Sequence, residues 1–261
     1  MLRQVTAWVM GAAIAGAAFA GQAIAQDKLR VATEGAYPPF NYIEPNGKVS
    51  GFDVDIAREL CVRMKADCEV VAQDWDGIIP GLLAKKYDMI VASMFITEER
   101  KKQVSFTNIY YRAAMTLVAH KNAHLTDLTD KGLAGKVIGA QSGTTQADYL
   151  TATFPHADIR LYPNQDEVNL DLAAGRLELE VGDLLPMIGW TRKSTDGACC
   201  ELVGPMVTDP KFVGEGAGIA VRKEDNDLRN RLNKALEEVR ADGTYAKLNE
   251  KYFPIDIYNL K

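Results

Sequence analysis

The stretch GFDVDIARELC, residues 51–61, has the apolar periodicity of a helix and is the starting point for predicting the fold. Ile56, Leu60 and Met64 recur at i, i+4 and i+8, which places them on one face of a helix predicted over 53–64. The first turn of this helix carries acidic residues, where the helix dipole favours negative charge. The stretch therefore predicts an amphipathic helix with its apolar face toward a core.

Strand-like and helix-like segments alternate on both sides of this helix. Strands are predicted at 29–33, 69–72 and 89–92, with a further helix at 78–84. The same alternation occurs again later in the chain. Strands are predicted at 136–140, 159–162 and 178–181, one helix is predicted to begin at 145, and another is predicted at 168–174. Such alternation is typical of parallel sheets with helical crossovers, so the sequence predicts an α/β fold built from two units.

Two apolar, β-like segments at 113–119 and 216–221 link these units, and an amphipathic helix follows at 228–240. A chain that crosses twice between two units makes the first of them discontinuous. We therefore predict a first lobe at 26–114, a second lobe at 115–213 and a return segment at 214–261 that completes the first lobe. The connections near 113–119 and 214–218 are the predicted hinge.

Residues 1–25 have the features of a secretory signal peptide. A basic residue precedes an apolar stretch at 8–20, and Ala23-Ile24-Ala25 supplies the small residues of a cleavage site. The apolar stretch is short for a membrane span, which needs about 20 residues. We expect cleavage after Ala25, with cleavage after Ala20 or an uncleaved anchor as alternatives. No cysteine lies near the cleavage site, so we expect a periplasmic protein without a lipid anchor.

The composition restricts the partners. The 261 residues include 30 basic and 35 acidic ones, which gives a formal net charge of −5. A nucleic-acid or anionic-membrane surface calls for clustered Lys and Arg, which this mildly acidic chain does not offer. No second apolar run approaches spanning length. We expect a monomer that binds no nucleic acid and does not insert into a membrane.

The four cysteines of this exported chain fall into two pairs. Cys61 lies near the end of the predicted helix and Cys68 opens the following strand, so a bridge between them would close a small loop in an oxidising compartment. Cys199 and Cys200 are adjacent, and a bond between them would be strained. The sequence therefore favours a Cys61–Cys68 disulfide and two reduced thiols at 199 and 200.

Motifs of enzymes and metal sites are incomplete in this chain. His120 and His124 have the spacing of metal ligands, but they lie in a polar stretch without an accompanying Glu, which favours a solvated loop. Gly143-Thr144-Thr145 lacks the Lys of a phosphate-binding loop, and no G-x-S-x-G nucleophile motif occurs. No cofactor is indicated.

A different set of polar residues suits the recognition of a zwitterion. Arg100 begins a short helix after a strand, where its guanidinium can hold a carboxylate by two hydrogen bonds. Thr144 and Thr145 stand at a predicted helix N-terminus, which favours anions. Asp183 follows the strand at 178–181, in the region where open α/β sheets place their ligands. Together these residues predict a site for an amino acid head group.

The chain resembles the family-3 bacterial solute-binding proteins, the polar amino acid receptors of ABC importers. The matching segments are 37–40 (YPPF), 51–61 (GFDVDIARELC), 75–82 (WDGIIPGL), 96–100 (ITEER), 143–146 (GTTQ), 171–176 (DLAAGR) and 242–245 (DGTY). Within the family it is most similar to the lysine/arginine/ornithine, histidine and opine receptors. The resemblance implies the type II periplasmic binding protein fold, in which two α/β lobes are joined by a two-strand hinge.

The resemblance also implies roles for individual residues in binding the head group. Arg100 is implied to clamp the α-carboxylate with help from the backbone of Thr144 and Thr145. Asp183 is implied to take the α-ammonium, and Ser93 with a neighbouring carbonyl to complete this part of the site. The family's small-loop disulfide matches Cys61 and Cys68, in agreement with their spacing.

For the ligand side chain, the resemblance implies a sandwich between Tyr37 and Trp75, with Gln141 on the far wall. Three positions depart from the basic amino acid receptors. Glu34 replaces their Asp near the tip of the pocket, and Ala92 and Phe95 replace two serines around Ser93. Glu34 still offers a carboxylate to a cationic side chain, so we expect arginine, ornithine, lysine or histidine as the ligand.

The implied function is that of a receptor which delivers a free amino acid to an inner-membrane ABC permease. An opine such as octopine or nopaline is the alternative ligand. A periplasmic cyclohexadienyl or arogenate dehydratase would share the fold, but Glu34 and Asp183 are better explained as partners of two cations than as general acids. The sensor domain of a kinase is disfavoured because no membrane span follows Tyr258.

Overall fold

The computed structural model describes residues 27–260 of the chain. The predicted signal peptide at 1–25 lies outside these described residues. Across 27–260, every helix is too short or too polar to cross a membrane.

Strands of two to eight residues are distributed along the whole described region. They are β1 (Lys28–Thr33), β2 (Ala36–Tyr37), β3 (Asn41–Ile43), β4 (Val49–Ser50), β5 (Asp67–Ala72), β6 (Met89–Ile90), β7 (Ser105–Tyr111), β8 (Met115–His120), β9 (Val137–Gln141), β10 (Asp158–Tyr162), β11 (Leu179–Asp183), β12 (Cys200–Val207) and β13 (Ala217–Val221).

Helices connect most of these strands. They are α1 (Phe52–Met64), α2 (Trp75–Leu83), α3 (Glu98–Lys101), α4 (Thr145–Thr153), α5 (Gln165–Ala173), α6 (Leu184–Lys193), α7 (Pro210–Val213), α8 (Asn226–Ala241) and α9 (Thr244–Tyr252), with 3₁₀ turns at Lys121–Ala123 and Asp196–Cys199.

The first sheet has the strand order β5-β1-β6-β13-β7. β1 pairs in parallel with β5 and β6, whereas β13 is antiparallel to β6 and β7. Val31 and Ala32 point to opposite faces of the sheet and belong to separate buried clusters, one with α1 and α8 and the other with α2. We call this sheet, its helices and the small antiparallel sheet β2-β3-β4 the first lobe.

The second sheet has the order β10-β9-β11-β8-β12 and, with its helices, forms the second lobe. β9 is parallel to β10 and β11, and β8 is antiparallel to β11 and β12. Helices again cover both faces, because Ile138 packs in one buried cluster with residues of α4 while Val118 packs in another with residues of α5. The predicted two-lobed α/β architecture is confirmed, with antiparallel strands on one side of each mostly parallel sheet.

The chain crosses between the sheets twice, from β7 to β8 and from β12 to β13. The predicted hinge segment at 113–119 is too long, since Met115–His120 is hydrogen-bonded inside the second sheet and only 112–114 connects β7 to β8. An apolar segment in the sequence does not reveal where strand pairing begins, and here the pairing of β8 begins close to the crossing. We propose lobe boundaries at 114/115 and 213/214, which fall in or next to the two crossings.

Helix α1 explains the motif at 51–61. Gly51 has φ +125°, and a Cβ at this position would collide with the backbone carbonyl of Phe40, so the turn into the helix requires glycine. Ile56 and Leu60 are fully buried, as the periodicity predicts. Asp53 is also fully buried, although an acidic residue in a first helical turn is normally exposed.

The structure contains both cysteine pairs as disulfides. Cys61 and Cys68 are bonded with their Cα atoms 6.2 Å apart, which confirms the predicted bridge between α1 and β5. Cys199 and Cys200 are bonded as well, so the expectation of two reduced thiols is wrong. They lie where the 3₁₀ turn at Asp196–Cys199 passes into β12, and this turn brings the two neighbouring side chains together.

Candidate ligand-binding site

A small polar cavity lies between the two lobes. Its lining residues are Glu34, Tyr37, Trp75, Ala92, Ser93, Phe95, Arg100, Gln141, Thr144, Thr145, Gln146, Gln165 and Asp183. All eleven site residues expected from the sequence are in this set, and Gln146 and Gln165 are additional. The cavity therefore collects residues that are up to about 150 positions apart in the chain.

The ends of parallel strands account for this convergence. Glu34 directly follows β1, and Ala92 and Ser93 follow β6 in the same sheet. Gln141 and Asp183 are the last residues of β9 and β11 in the second sheet. Since parallel strands end at the same edge of a sheet, each lobe turns one polar edge toward the other.

Arg100 dominates one end of the cavity. Its Nη1 donates to the backbone carbonyl of Phe95 at 3.1 Å, and its guanidinium lies 5.2 Å from the centre of the Trp75 ring. Thr97 caps α3 by accepting a hydrogen bond from the Arg100 N–H, which fixes the backbone of the arginine. Desolvation lowers the pKa of Arg100 to about 10, so the side chain stays cationic at neutral pH.

The N-terminus of α4 faces the cavity near this cation. The Thr144 hydroxyl accepts from the N–H of Ala147 at 3.2 Å and donates to the carbonyl of Gln141 at 2.6 Å. Thr144 thereby holds the turn at 141–144 against the first turn of the helix. The partial positive charge of a helix N-terminus beside a guanidinium favours a bound carboxylate.

Asp183 provides a buried acid at the same end. Its carboxylate accepts a hydrogen bond from Nε2 of Gln146, and its N–H donates to the hydroxyl of Tyr37 at 3.2 Å. Burial raises the pKa of Asp183 to about 7, although the hydrogen bonds from Tyr37 and Gln146 and the charge of Arg100 oppose this rise. A carboxylate in this position gains from any cation placed beside it.

Glu34 forms the opposite end. It is buried, and Nε2 of Gln141 donates to its Oε1 at 2.5 Å and to the carbonyl of Pro163 at 3.1 Å. Desolvation raises the pKa of Glu34 to about 7, and three further acids contribute to this rise by repulsion. These acids are Asp166, Asp74 and Asp76. A cation placed at this end of the cavity would therefore stabilise the ionised form of Glu34.

The walls between these ends are aromatic or apolar. Tyr37 packs near Phe40 with 6.4 Å between ring centres, and Trp75 donates from Nε1 to the carbonyl of Gly143 at 3.0 Å. Ala92 and Phe95 are buried and add apolar surface where hydroxyl groups were expected from similar receptors. The cavity is polar at its ends and apolar along its sides.

Gln146 and Gln165 were missed by the sequence argument. Each is in the first turn of a helix that follows a strand of the second sheet, α4 after β9 and α5 after β10. Nε2 of Gln165 lies 3.0 Å from the side-chain amide of Asn169. The position after a strand end is the signal that could have identified both glutamines.

The two histidines with metal-ligand spacing lie elsewhere, at a surface turn. Nδ1 of His120 accepts from the N–H of Asn122 at 3.1 Å, and His124 follows the 3₁₀ turn. Among residues 27–260, no three His, Cys, Asp or Glu side chains are grouped so as to hold a metal ion.

Comparison with known proteins relates this architecture to one family. The family described as bacterial extracellular solute-binding proteins, family 3, matches residues 29–255. The L-arginine-binding protein of Pseudomonas aeruginosa is 41% identical over 249 residues, covering 94% of this chain and 96% of that protein. The histidine-binding periplasmic protein of Salmonella typhimurium is 41% identical over 238 residues, covering 90% and 91%.

A solved structure shares the fold over nearly its whole length. It is a Salmonella typhimurium periplasmic binding protein described as having high arginine specificity, with a TM-score of 0.80 and 33% sequence identity. The match covers 87% of this chain and 99% of the other.

Proposed function

Because the chain belongs to the bacterial extracellular solute-binding proteins of family 3, we propose that it is the receptor of an amino acid ABC importer and binds a basic amino acid between its two lobes. Its relatives include an L-arginine-binding protein and a histidine-binding periplasmic protein, both aligned over nine-tenths or more of their length. Their names support a ligand with a cationic side chain.

The observation that carries the substrate class is the buried carboxyl group of Glu34 at one end of the cavity. Glu34 is buried there, and the negative charges of Asp74, Asp76 and Asp166 act on it. A buried carboxylate without a paired charge is unfavourable unless a cation joins it. A guanidinium or ammonium on the ligand side chain supplies that charge, whereas a neutral side chain does not.

The other end of the cavity suits the head group. Arg100 and the N-terminus of α4 bind the α-carboxylate, and Asp183 with Ser93 binds the α-ammonium. Tyr37 and Trp75 cover the aliphatic part of the side chain, and their ring faces also attract its cationic end. The full set of proposed ligand-binding residues is Glu34, Tyr37, Trp75, Ala92, Ser93, Phe95, Arg100, Gln141, Thr144, Thr145 and Asp183.

Binding occurs by closure of the two lobes. Glu34, Tyr37 and Trp75 belong to the first lobe, and each is hydrogen-bonded to a residue of the second lobe. A ligand that contacts both lobes stabilises this closed arrangement relative to an open one. The closed, loaded form is then recognised by the inner-membrane permease, to which it delivers the amino acid from the periplasm.

An opine is the second candidate ligand, because a neighbouring groove shares lining residues with the cavity. The groove has a volume of about 600 Å³ and shares Tyr37 and Gln165 with the cavity. An opine is an amino acid with an additional carboxyalkyl group on its α-nitrogen, and the groove offers room for a larger ligand.

Calorimetry on ligand-free, refolded protein tests both ligand classes. Arginine, ornithine, lysine and histidine should bind tightly and raise the melting temperature, and glutamine should bind much more weakly. If octopine binds more tightly than arginine, the ligand belongs to the opine class. A preference for glutamine or another neutral amino acid would contradict the basic-ligand proposal.

We propose that the protein binds its ligand without transforming it. The two cavity acids with raised pKa, Glu34 and Asp183, each accept a hydrogen bond from a glutamine amide. These donors stabilise the charged carboxylate, which suits a partner of a cation better than a proton donor. Incubation with prephenate and arogenate should give no aromatic product, and any such product would show dehydratase activity.

A further inference from the structure

Asp53 is a fully buried acid behind the cavity, and the side-chain partners of its carboxylate are all hydrogen-bond donors. Nδ2 of Asn41 donates to its Oδ2 at 2.8 Å, and the hydroxyl of Ser93 donates to the same oxygen at 2.9 Å. The hydroxyl of Tyr110 donates to Oδ1 at 2.7 Å. A carboxylate can only accept hydrogen bonds, so Asp53 fixes the direction of each of these three bonds.

The same direction is imposed one step further along the network. Since Tyr110 gives its hydroxyl hydrogen to Asp53, its oxygen is left to accept, and it accepts from the N–H of Ser93 at 2.9 Å. Ser93 has a left-handed backbone with φ 53°, which is uncommon for a residue other than glycine. Both hydrogen-bond donors of Ser93, its N–H and its O–H, are therefore held by the interior of the first lobe.

A second arm of the network reaches the other strand end of this lobe. Asn41 donates to Asp53, so its Oδ1 is available to accept, and it accepts from the N–H of Gly35 at 2.7 Å. Gly35 directly follows Glu34. One buried carboxylate thus holds the two turns that carry Glu34 and Ser93 into the cavity.

We propose that Asp53 is a positioning residue for ligand binding. It binds the hydroxyl of Ser93 directly and orients Tyr110 to accept from the Ser93 N–H, so that Ser93 presents only acceptors to the α-ammonium of the ligand. The remaining acceptors are the carbonyl of Ser93 and the second lone pair of its hydroxyl. Ser93 lines the cavity together with Asp183. This inference rests on the proposed function, since it assumes a ligand with an α-ammonium.

An amide cannot replace the acid in this arrangement. In Asp53→Asn, an NH₂ group replaces one of the two carboxylate oxygens, and both oxygens accept hydrogen bonds in the wild type. The NH₂ group therefore faces another donor, and Ser93 or Tyr110 has to turn its hydroxyl hydrogen away from the network. A hydrogen turned toward the cavity meets the ammonium of the ligand and repels it. Burial raises the pKa of Asp53 to about 6, with the three side-chain donors opposing the rise, so the acid is mostly ionised at neutral pH.

The test compares arginine with 5-guanidinopentanoate, which is arginine without its α-amino group. By calorimetry, Asp53→Asn should weaken arginine about tenfold or more, the scale of a lost hydrogen bond to a charged group. The same variant should change the affinity for 5-guanidinopentanoate less than about threefold. Equal losses for both compounds would reduce Asp53 to a structural role and overturn the proposal.

A second variant keeps the test decisive if Asp53→Asn does not fold. Tyr110→Phe retains the carboxylate but removes the acceptor for the Ser93 N–H, and it should also weaken arginine more than 5-guanidinopentanoate. Tyr87→Phe is the matched control, because it removes a buried tyrosine hydroxyl of the same lobe that donates to the carbonyl of Ile78. It should leave the ratio of the two affinities unchanged.

The outcomes separate this inference from the proposed function. A wild-type protein that binds neither arginine nor another basic amino acid would contradict the proposed function itself. A wild-type protein that binds arginine, with variants that lose both compounds equally, would contradict only the role of Asp53.

Discussion

The indole Nε1 of Trp75 donates a hydrogen bond across the cavity to the backbone carbonyl of Gly143, at 3.0 Å. Trp75 opens α2 of the first lobe, and Gly143 belongs to the turn before α4 of the second. The same side chain lies against the guanidinium of Arg100. Trp75 therefore serves both as a wall of the site and as a contact that joins the lobes.

Replacing Trp75 separates these two roles. Trp75→Phe keeps an aromatic wall but removes the hydrogen bond between the lobes, so every ligand should lose about 1 kcal/mol of binding free energy. The loss should appear as faster dissociation in stopped-flow measurements, because the closed form is less stable. Trp75→Ala should cost more. Unchanged dissociation rates in Trp75→Phe would show that the hydrogen bond does not stabilise closure.

Arg100 should be required for every amino acid ligand, whatever its side chain. Arg100→Lys retains a charge but loses the planar pair of donors, and should weaken arginine and glutamine alike by about 2–3 kcal/mol. The common loss follows because the variant affects only the carboxylate. Calorimetry with both ligands measures it, and Lys101→Arg on the neighbouring surface is the control. A loss confined to arginine would place Arg100 at the side chain instead.

Much of this fold is encoded locally and could be predicted from the sequence. The helix predicted at 53–64 follows from its apolar periodicity, and the candidate site residue Asp183 follows from its position after a predicted strand, whereas Gln141 was implied only by the family resemblance. The strands of the small sheet were missed because Ala36–Tyr37 and Val49–Ser50 have only two residues each, too few to show a period.

The role of Asp53 could not be predicted for a different reason. In the sequence it is an acid in a first helical turn, where the helix dipole alone explains it. In the structure it is buried by partners 12, 40 and 57 positions away, Asn41, Ser93 and Tyr110. Such a network depends on tertiary packing, and no local sequence pattern predicts it.

Glu34 should determine the preference for a cationic side chain. Glu34→Gln removes the charge but keeps the shape, so arginine and ornithine should lose on the order of 2 kcal/mol, while glutamine should change little or improve. Calorimetry of both proteins against these ligands measures the difference. Gln165→Glu, which adds an acid to the same cavity, is the converse variant and should not weaken arginine. Equal losses for arginine and glutamine in Glu34→Gln would give Glu34 a structural role.

Glu180 on β11 should make the protein less stable as pH rises. It is fully buried, the side-chain amide of Asn169 approaches its carboxyl oxygens at 3.1 and 3.2 Å, and burial raises its pKa well above the usual value. When the pH exceeds the ordinary pKa of Glu, the unfolded chain ionises this group while the folded protein resists ionisation. Unfolding is therefore favoured progressively up to the raised, folded-state pKa.

Thermal unfolding of Glu180→Gln across a pH series tests this. The variant should gain in melting temperature relative to the wild type as pH increases from about 4 to about 8, because it cannot ionise. A difference that stays constant across the pH series would show that Glu180 is as readily ionised in the folded protein as in the unfolded chain.

Binding of a basic amino acid should release protons near neutral pH. In the closed arrangement without a ligand, the pKa values of Glu34 and Asp183 are each raised to about 7, mainly by desolvation, so both carboxyls of the closed, empty site are partly protonated. A bound cation beside each carboxylate lowers these pKa values, since it favours the charged form. The ligand therefore prefers the deprotonated site, and affinity should fall as pH drops below about 7, by up to about tenfold per pH unit for each carboxyl.

Calorimetry in buffers with different ionisation enthalpies counts the released protons. At a pH of about 6.5, arginine should release a measurable fraction of a proton from each acid, and Glu34→Gln should remove the part that Glu34 contributes. The guanidinium of arginine stays charged throughout, so the change reports on the protein rather than the ligand side chain. Affinity that is constant between about pH 5 and 8, or proton uptake on binding, would mean that neither acid is paired with a cation of the ligand.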